Sequence, residues 1–229
     1  MEININIPRS VEAIKLKHYQ AYYMMIQDFD LENLTKEDEE YISLKSVQIF
    51  CELEREILDK LPKKVIDFAV SQIFSLLGTK VDKINTFKMV GTDGVEVEFG
   101  LEPNLDEISY GAYQDAISYQ DPKDWHKLLA VLYRPVIKKD RHQSYIIADY
   151  EGSGVFSEVM KDAPAIVYMG LMVFFYRLAT KLSSLTLASI SKEMAQENSQ
   201  AEENNLGKSG VDIQRLSNLL TEISQKSTQ

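Results

Sequence analysis

The sequence has little of the chemistry that cross-links small proteins or holds metal ions. Cys51 is the one cysteine, so no disulfide can form within the chain, and a reducing compartment is expected. The histidines His18, His126 and His142 are scattered and give no zinc-ligand spacing. Disulfide-framework and zinc-finger classes are therefore excluded. Cys51 follows Phe50 on the apolar side of a predicted helix, where a packed core thiol is expected.

Basic residues are also in short supply. Lysine and arginine total 25 against 35 aspartates and glutamates, which gives a formal net charge of -10. An acidic surface repels a phosphate backbone, and Asp140 interrupts the densest basic cluster, Lys138, Lys139 and Arg141. The sequence therefore predicts no direct contact with nucleic acid, and the cluster is interpreted as a solvated loop.

A targeting signal and a long hydrophobic run are both missing. Residues 1–10 lack the basic and apolar regions of a signal peptide. The most apolar stretch, Ala163–Tyr176, is followed by Arg177 and Lys181, and it is shorter than the ~20 residues that a membrane-spanning helix needs. We therefore expect a soluble intracellular protein that makes no membrane contact.

Recognisable catalytic motifs are absent as well. Gly207–Ser209 resembles the end of a phosphate-binding loop, but the glycine required earlier in that motif is missing and no strand precedes it. Asp106 with Glu107, or Asp121 with Asp124, could form an acid–base pair, although helix capping explains all four residues. The sequence predicts no catalytic residue, no cofactor and no metal site.

Apolar residues make up 45% of the chain, which is enough to bury a sizeable core. Apolar side chains at three- and four-residue spacing predict helices, and alternation predicts strands. The clearest hairpin signal is the pair of alternating segments 83–90 and 95–100, with turn residues between them. Helices are predicted at 15–28, 35–51 with Thr35 as N-cap, 61–77, 106–119 with Asp106 as N-cap, 121–133, 155–161 and 164–196, and further strands at 1–7 and 145–150.

These elements predict an α+β fold that is mainly helical, with a small antiparallel sheet or hairpin and a long C-terminal helix followed by a tethered helical tail. We expect one domain over residues 1–195, a polar, acidic linker over 196–210 and an amphipathic tail helix over 211–229. So short a helix is marginal alone in water, so it must dock on its own domain or on a partner subunit. The candidate partner contacts of the tail are Ile213, Leu216, Leu220 and Ile223.

Tyrosine is the most informative residue type. Twelve tyrosines and nine phenylalanines occur in this acidic chain, and Tyr110, Tyr113 and Tyr119 fall on one segment. Tyrosine buries apolar area and keeps a polar end, which suits protein interfaces. The three residues are therefore candidate partner contacts, while an ordinary core with polar-tipped aromatics stays open as the alternative.

One part of the chain, roughly residues 87–182, resembles known proteins. Its segments are FGLEPNLDEISYG at 99–111, WHKLLAVLYRPV at 125–136, the tyrosines Tyr145 and Tyr150, and GLMVFF at 170–175. In this order they are similar to proteins from the structural-gene modules of tailed bacteriophages, particularly those infecting Bacteroidetes. The resemblance implies a virion component or a tail assembly chaperone and no catalytic residues.

A core motif would explain the same pattern, because Trp125, Leu128, Leu132 and Tyr133 are expected to clamp the hairpin to the long helix. The function that we predict is nevertheless that of a non-enzymatic phage structural or assembly protein, acting through contacts with other phage structural proteins. It would form an oligomer or join a larger assembly, in the host cytoplasm during assembly; whether it stays in the virion depends on whether it is a virion component or a chaperone. The alternatives are a small phage enzyme with an unrecognised carboxylate site and a host-directed inhibitor.

Overall fold

The chain has an α+β fold that is mainly helical, as the sequence predicts. The computed structural model describes residues 5–91, 94–140 and 144–203, and it contains two compact units, Met1–Tyr176 and Arg177–Gln229. The helices are α1 (Leu16–Ile26), α2 (Lys36–Phe50), α3 (Arg55–Leu58), α4 (Lys63–Leu77), α5 (Tyr110–Ser118), α6 (Trp125–Leu132), α7 (Ser157–Met160) and α8 (Ala165–Glu203). Short 3-10 turns lie at Val11–Ala13, Leu105–Glu107, Pro122–Asp124 and Ser153–Val155.

Capping residues set the beginnings of several helices. Thr35 forms the predicted N-cap of α2, because its hydroxyl accepts from the Asp38 amide at 3.2 Å and the Asp38 carboxylate accepts from the Thr35 amide at 3.0 Å. The predicted cap of α5, Asp106, is wrong: Ser109 caps this helix by accepting from the Ala112 amide at 3.3 Å. Asp106 instead lies in a 3-10 turn that Asn104 caps. Ile108, with φ -57° and ψ 136°, leaves the helical conformation and separates this turn from α5.

A four-stranded antiparallel sheet has the strand order β1-β2-β3-β4. Its strands are β1 (Thr86–Val90), β2 (Glu96–Leu101), β3 (Tyr133–Lys139) and β4 (Tyr145–Ile147). The β1–β2 pair confirms the predicted hairpin, with Met89 opposite Val97, and β4 confirms part of the predicted strand at 145–150.

The sequence does not predict the third strand, because Pro135 there indicates only the end of the preceding helix. Helix α6 passes directly into β3, and Pro135 pairs with Phe99 of β2 while its carbonyl accepts from the Ala148 amide at 2.8 Å. The predicted strand at the N-terminus is wrong for residues 5–7, which form no strand; residues 1–4 lie outside the described part. Ile5 and Ile7 pack instead against the core cluster that includes α2 and α4.

Aromatic side chains join the sheet to helix α8. Trp125 of α6 stacks on Tyr168 of α8 with ring centroids 4.2 Å apart. Tyr133, fully buried at the start of β3, contacts the Phe87 ring of β1 edge-on at 5.4 Å and donates to the Ile84 carbonyl at 2.6 Å. Leu128 and Leu132 belong to the same core cluster, so the predicted clamp is confirmed.

Helix α8 is longer than predicted. Its 39 residues correspond to about 58 Å, and residues 196–203, predicted as the first part of the linker, are helical. Glutamine, glutamate and alanine there are good helix formers, so a polar sequence need not be a loop. The rest of the predicted linker and the tail helix, residues 204–229, lie outside the described residues.

The apolar part of α8 is also longer than the sequence interpretation allowed. Ala165–Ser191 is 27 residues long and, by length and composition, apolar enough to cross a membrane. Arg177 and Lys181, interpreted as ending the apolar stretch, are its only charged residues. Core helices of soluble proteins meet the same criterion, and Val167 and Leu171 are buried in the core of the first unit, so the evidence for a membrane span is weak.

Candidate functional site

An apolar groove of about 550 Å³ lies on the surface of the first unit. Helices α5, α6 and α8 and the turn before α5 form its walls, and it is open to solvent. Of its lining side chains, Gln120 alone is neither aliphatic nor aromatic. The lining residues are Leu105, Ile108, Tyr113, Ala116, Ile117, Gln120, Leu128, Leu132, Tyr168, Met172 and Phe175.

Helical spacing brings the lining residues onto the same side of each helix. On α5 and just beyond it, Tyr113, Ala116, Ile117 and Gln120 recur at three- and four-residue intervals. Leu128 and Leu132 are one turn apart on α6, and Tyr168, Met172 and Phe175 follow the same interval on α8. Ala112 is fully buried on α5, so this small helix is anchored to the core while an apolar face remains open.

The three tyrosines predicted as partner contacts have different environments. Tyr113 is 50% exposed and lines the groove, whereas Tyr110 is 77% exposed on the same helix and does not line it. Tyr119 is half-buried; its hydroxyl accepts from the Ser153 hydroxyl at 3.1 Å, and the Lys127 ammonium lies 5.4 Å from its ring centre. The structure therefore brings Tyr113 to the groove, leaves Tyr110 exposed nearby and gives Tyr119 a packing role.

The other predicted contacts, Ile213, Leu216, Leu220 and Ile223, lie outside the described residues. The tyrosines of α1 belong to the core: Tyr19 and Tyr23 lie 5.8 and 4.7 Å from the Trp125 ring, and Tyr22 lies 5.4 Å from Phe50. The alternative of polar-tipped core aromatics therefore holds for α1 and not for Tyr113.

The chemistry of the groove is that of a binding surface. Its lining residues with polar side-chain groups are Gln120, Tyr113 and Tyr168, and no lining residue carries a charge. Burial raises the pKa of the Tyr168 hydroxyl well above its ordinary value, so this phenol stays protonated at neutral pH. The groove can therefore accept an apolar or aromatic side chain, with hydrogen bonds limited to an amide and two phenols.

The four candidate acid–base carboxylates have different surroundings. Asp106 and Glu107 are exposed beside the groove, and neither forms an ion pair with any residue in the described ranges. Asp121 caps the following 3-10 turn, and the Lys123 backbone amide holds the pKa of its carboxyl below the ordinary value. Asp124 pairs with Lys127 at 2.7 Å. Capping and ion pairing are thus visible for Asp121 and Asp124.

The cysteine and two of the histidines are held in packed surroundings. Cys51 is buried, which raises the pKa of its thiol to about 11. Nδ1 of His126 lies 3.2 Å from Nε2 of Gln20, and Nε2 of His18 lies 3.1 Å from a carboxylate oxygen of Glu52. Burial lowers the pKa of both imidazoles. Within residues 5–91, 94–140 and 144–203, no cluster of three or more metal-ligating side chains is found.

Compared with known proteins, the chain matches no protein-family model, no curated protein and no solved structure. The groove and the exposed part of α8 are therefore the observations on which a function can rest.

Proposed function

We propose that this chain is a non-enzymatic structural or assembly protein of a tailed bacteriophage, and that it acts by binding other protein surfaces through the groove. Its partners are phage structural proteins, and it acts in the host cytoplasm during particle assembly, either as a chaperone or as a subunit that is built into the virion. The observation that carries this proposal is the open apolar groove itself, with Tyr113 and Ile117 50% and 47% exposed on its wall.

An exposed apolar groove favours a binding role because soluble proteins seldom leave large apolar patches in water without a use for them. Aromatic side chains such as Tyr113 are enriched in protein interfaces, and an amphipathic helix is the usual occupant of a groove between helices. Two segments that carry the resemblance to phage structural-module proteins, 99–111 and 125–136, contribute Leu105, Ile108, Leu128 and Leu132 to the groove. This coincidence supports a link between the resemblance and the binding surface.

Substitution of Ile117 by arginine tests the groove. Ile117 is 47% exposed, so Ile117→Arg should leave the fold intact while it places a charge in an apolar contact. A phage that carries this variant should yield far fewer complete particles, because loss of a central interface contact costs about 2 kcal/mol, or roughly thirtyfold in affinity. Particle yield is measured by plaque titre and by electron microscopy of lysates.

Ile146→Arg is the matched control. It introduces the same change at a 55% exposed isoleucine on β4, outside the groove, and should leave the particle yield unchanged. Mass spectrometry of purified particles then separates a virion component, which is retained, from a chaperone, which is absent. Normal particles from a phage lacking the whole gene would refute the proposed function.

A further inference from the structure

Helix α8 carries an apolar face that continues beyond the core of the first unit. Val167 and Leu171 are buried in that core, with 1% and 0% exposure. Further along the same helix, Leu178, Leu182 and Leu185 are 37%, 55% and 55% exposed. These three leucines, the leucine stripe, lie four and three residues apart and therefore share one side of the helix. Their spacing is that of the anchors with which a helix binds a groove.

The surroundings of the leucine stripe are basic in an otherwise acidic protein. No aspartate or glutamate occurs from Ala163 to Lys192, although the whole chain has a net charge of -10. Lys181 is exposed and precedes Leu182 directly. A surface that fits this stripe should therefore be apolar, with acidic residues at its edge.

The groove of the first unit has this composition. Its lining is uncharged, and Asp106 and Glu107 lie in sequence between the lining residues Leu105 and Ile108. Both carboxylates are exposed and form no ion pair in the described part of the chain. The groove therefore offers an apolar floor with negative charge at one edge, which complements the leucine stripe.

We infer that copies of this chain associate head to tail, with the leucine stripe of one copy seated in the groove of the next. The inference builds on the proposed function, since it names the occupant of the same groove. The leucine stripe spans about 10 Å along the helix axis, so a short groove can receive all three side chains. Lys181 would then face Asp106 and Glu107. Because groove and stripe are different surfaces, each added copy exposes one of each, and repetition gives a ring or a filament.

Other occupants of the stripe fit less well. Pairing of two stripes side by side would bring the two Lys181 side chains, which carry the same charge, close together. The paired surface would also be short, because the next positions at the same spacing are the polar residues Ser189 and Lys192. The chain's own predicted tail would need an almost fully extended connection. To reach the leucine stripe, the tail would have to return from Glu203 to Leu185, a distance of about 27 Å along α8. The connecting residues 203 to 211 can span at most about 28 Å when fully extended. A membrane would have to accommodate Arg177 and Lys181 within the apolar segment.

A pair of variants tests the head-to-tail contact. Ile117→Arg blocks the groove and keeps the stripe, whereas Leu182→Asp breaks the stripe and keeps the groove. Light scattering after size exclusion should show wild-type protein larger than one chain and each variant alone as a monomer. An equimolar mixture of the variants should give a complex of two chains and nothing larger, because it contains one intact stripe and one intact groove per pair.

Matched substitutions and a charge exchange complete the test. Ile146→Arg and Leu31→Asp, at isoleucine and leucine side chains that are 55% and 56% exposed elsewhere, should assemble like wild type. Lys181→Glu should raise the concentration needed for assembly about tenfold, and adding Asp106→Lys with Glu107→Lys to the same chain should restore it.

Several outcomes overturn the inference. A monomeric wild-type chain at its highest soluble concentration would do so, as would full assembly of Leu182→Asp. Self-association of Ile117→Arg alone would indicate pairing of two stripes. Flotation of a monomer with phosphatidylcholine–phosphatidylglycerol vesicles would indicate a membrane surface. These measurements use purified protein, so the inference can fail while the phage deletion experiment still supports the proposed function, and the reverse also holds.

Discussion

Gly170 decides how closely helix α8 can approach the segment that precedes the sheet. A Cβ atom at this position would lie 2.3 Å from the carbonyl oxygen of Asp82, which is backbone and cannot move aside cheaply. Glycine costs helix stability, so its presence in the second turn of α8 is explained by this contact. The sequence showed a glycine inside an apolar helix but could not show what the helix meets there.

Gly170→Ala should therefore destabilise the protein, although alanine is the better helix former. We expect the free energy of unfolding to fall by about 2 kcal/mol, because the backbone at Asp82 must shift to avoid the clash. Gly154→Ala is the control, since nothing lies within 4 Å of a Cβ there. Urea unfolding followed by tryptophan fluorescence measures both variants, and equal stability of the two would contradict the explanation.

His126 is a second residue whose role depends on packing. Gln20 Nε2 donates to the Pro122 carbonyl at 2.7 Å and lies 3.2 Å from Nδ1 of His126, so that nitrogen has to act as an acceptor. If Nδ1 were protonated, it and the Gln20 amide would both be hydrogen-bond donors facing each other, which is unfavourable. Burial lowers the pKa of this imidazole most, and Lys161 and Lys127 lower it further, while Glu158 and Asp124 oppose the shift.

The stability of the protein should therefore depend on pH below about 6.5, the ordinary pKa of histidine. The unfolded chain takes up a proton there that the folded chain resists, so the free energy of unfolding falls as the pH decreases. One histidine contributes at most about 1.4 kcal/mol per pH unit. His126→Gln should flatten the decrease between pH 7.5 and 5.5 in urea titrations, with the part due to His18 remaining. An unchanged slope would mean that His126 is not held neutral.

At the scale of elements, local signals that agree with tertiary packing were predictable. The Thr35 capping box and the β1–β2 hairpin are fixed by neighbouring residues, and the aromatic clamp of Trp125 and Tyr133 follows from the apolar pattern. Strand β3 is not predicted, because a proline such as Pro135 weakens a strand pattern. Only the structure shows that the Pro135 carbonyl accepts a hydrogen bond from the Ala148 amide, next to β4. The groove could not be predicted, since helix α8, which is distant in sequence from α5 and α6, supplies part of its walls.

Removal of residues 204–229 separates the contribution of the tail from that of α8. The described core residues all precede residue 172, so the truncated chain should unfold at the same urea concentration as the full chain. If Ile213, Leu216, Leu220 and Ile223 contact a partner, that binding should be lost in pull-downs with phage structural proteins. Head-to-tail assembly should persist, because Leu178–Leu185 remains. Undiminished partner binding would refute the predicted role of the tail.

At the scale of the whole molecule, charge is distributed unevenly along the chain. A net charge of -10 coexists with an acid-free stretch from Ala163 to Lys192, and composition alone conceals this contrast. The same helix lines the groove with Tyr168, Met172 and Phe175 and then exposes Leu178, Leu182 and Leu185. The sequence predicts a buried first half of this helix and a second half, from Lys181, that is rich in serine and threonine and has lost its large apolar residues. The structure places the end of the buried part earlier, after Leu171, and shows that Leu182 and Leu185 are large apolar residues left exposed in the second half.

The buried thiol of Cys51 has a practical consequence for spectroscopy. With its pKa near 11, it exists as thiolate roughly a hundredfold less often at neutral pH than a freely accessible cysteine does. A cysteine introduced at position 31 or 146, where the side chain is exposed and lies outside both the groove and the leucine stripe, would therefore react with a maleimide dye long before the natural one. Donor and acceptor fluorophores can thus be attached at chosen places on the native background, and energy transfer between copies could follow the formation of a ring or filament in real time.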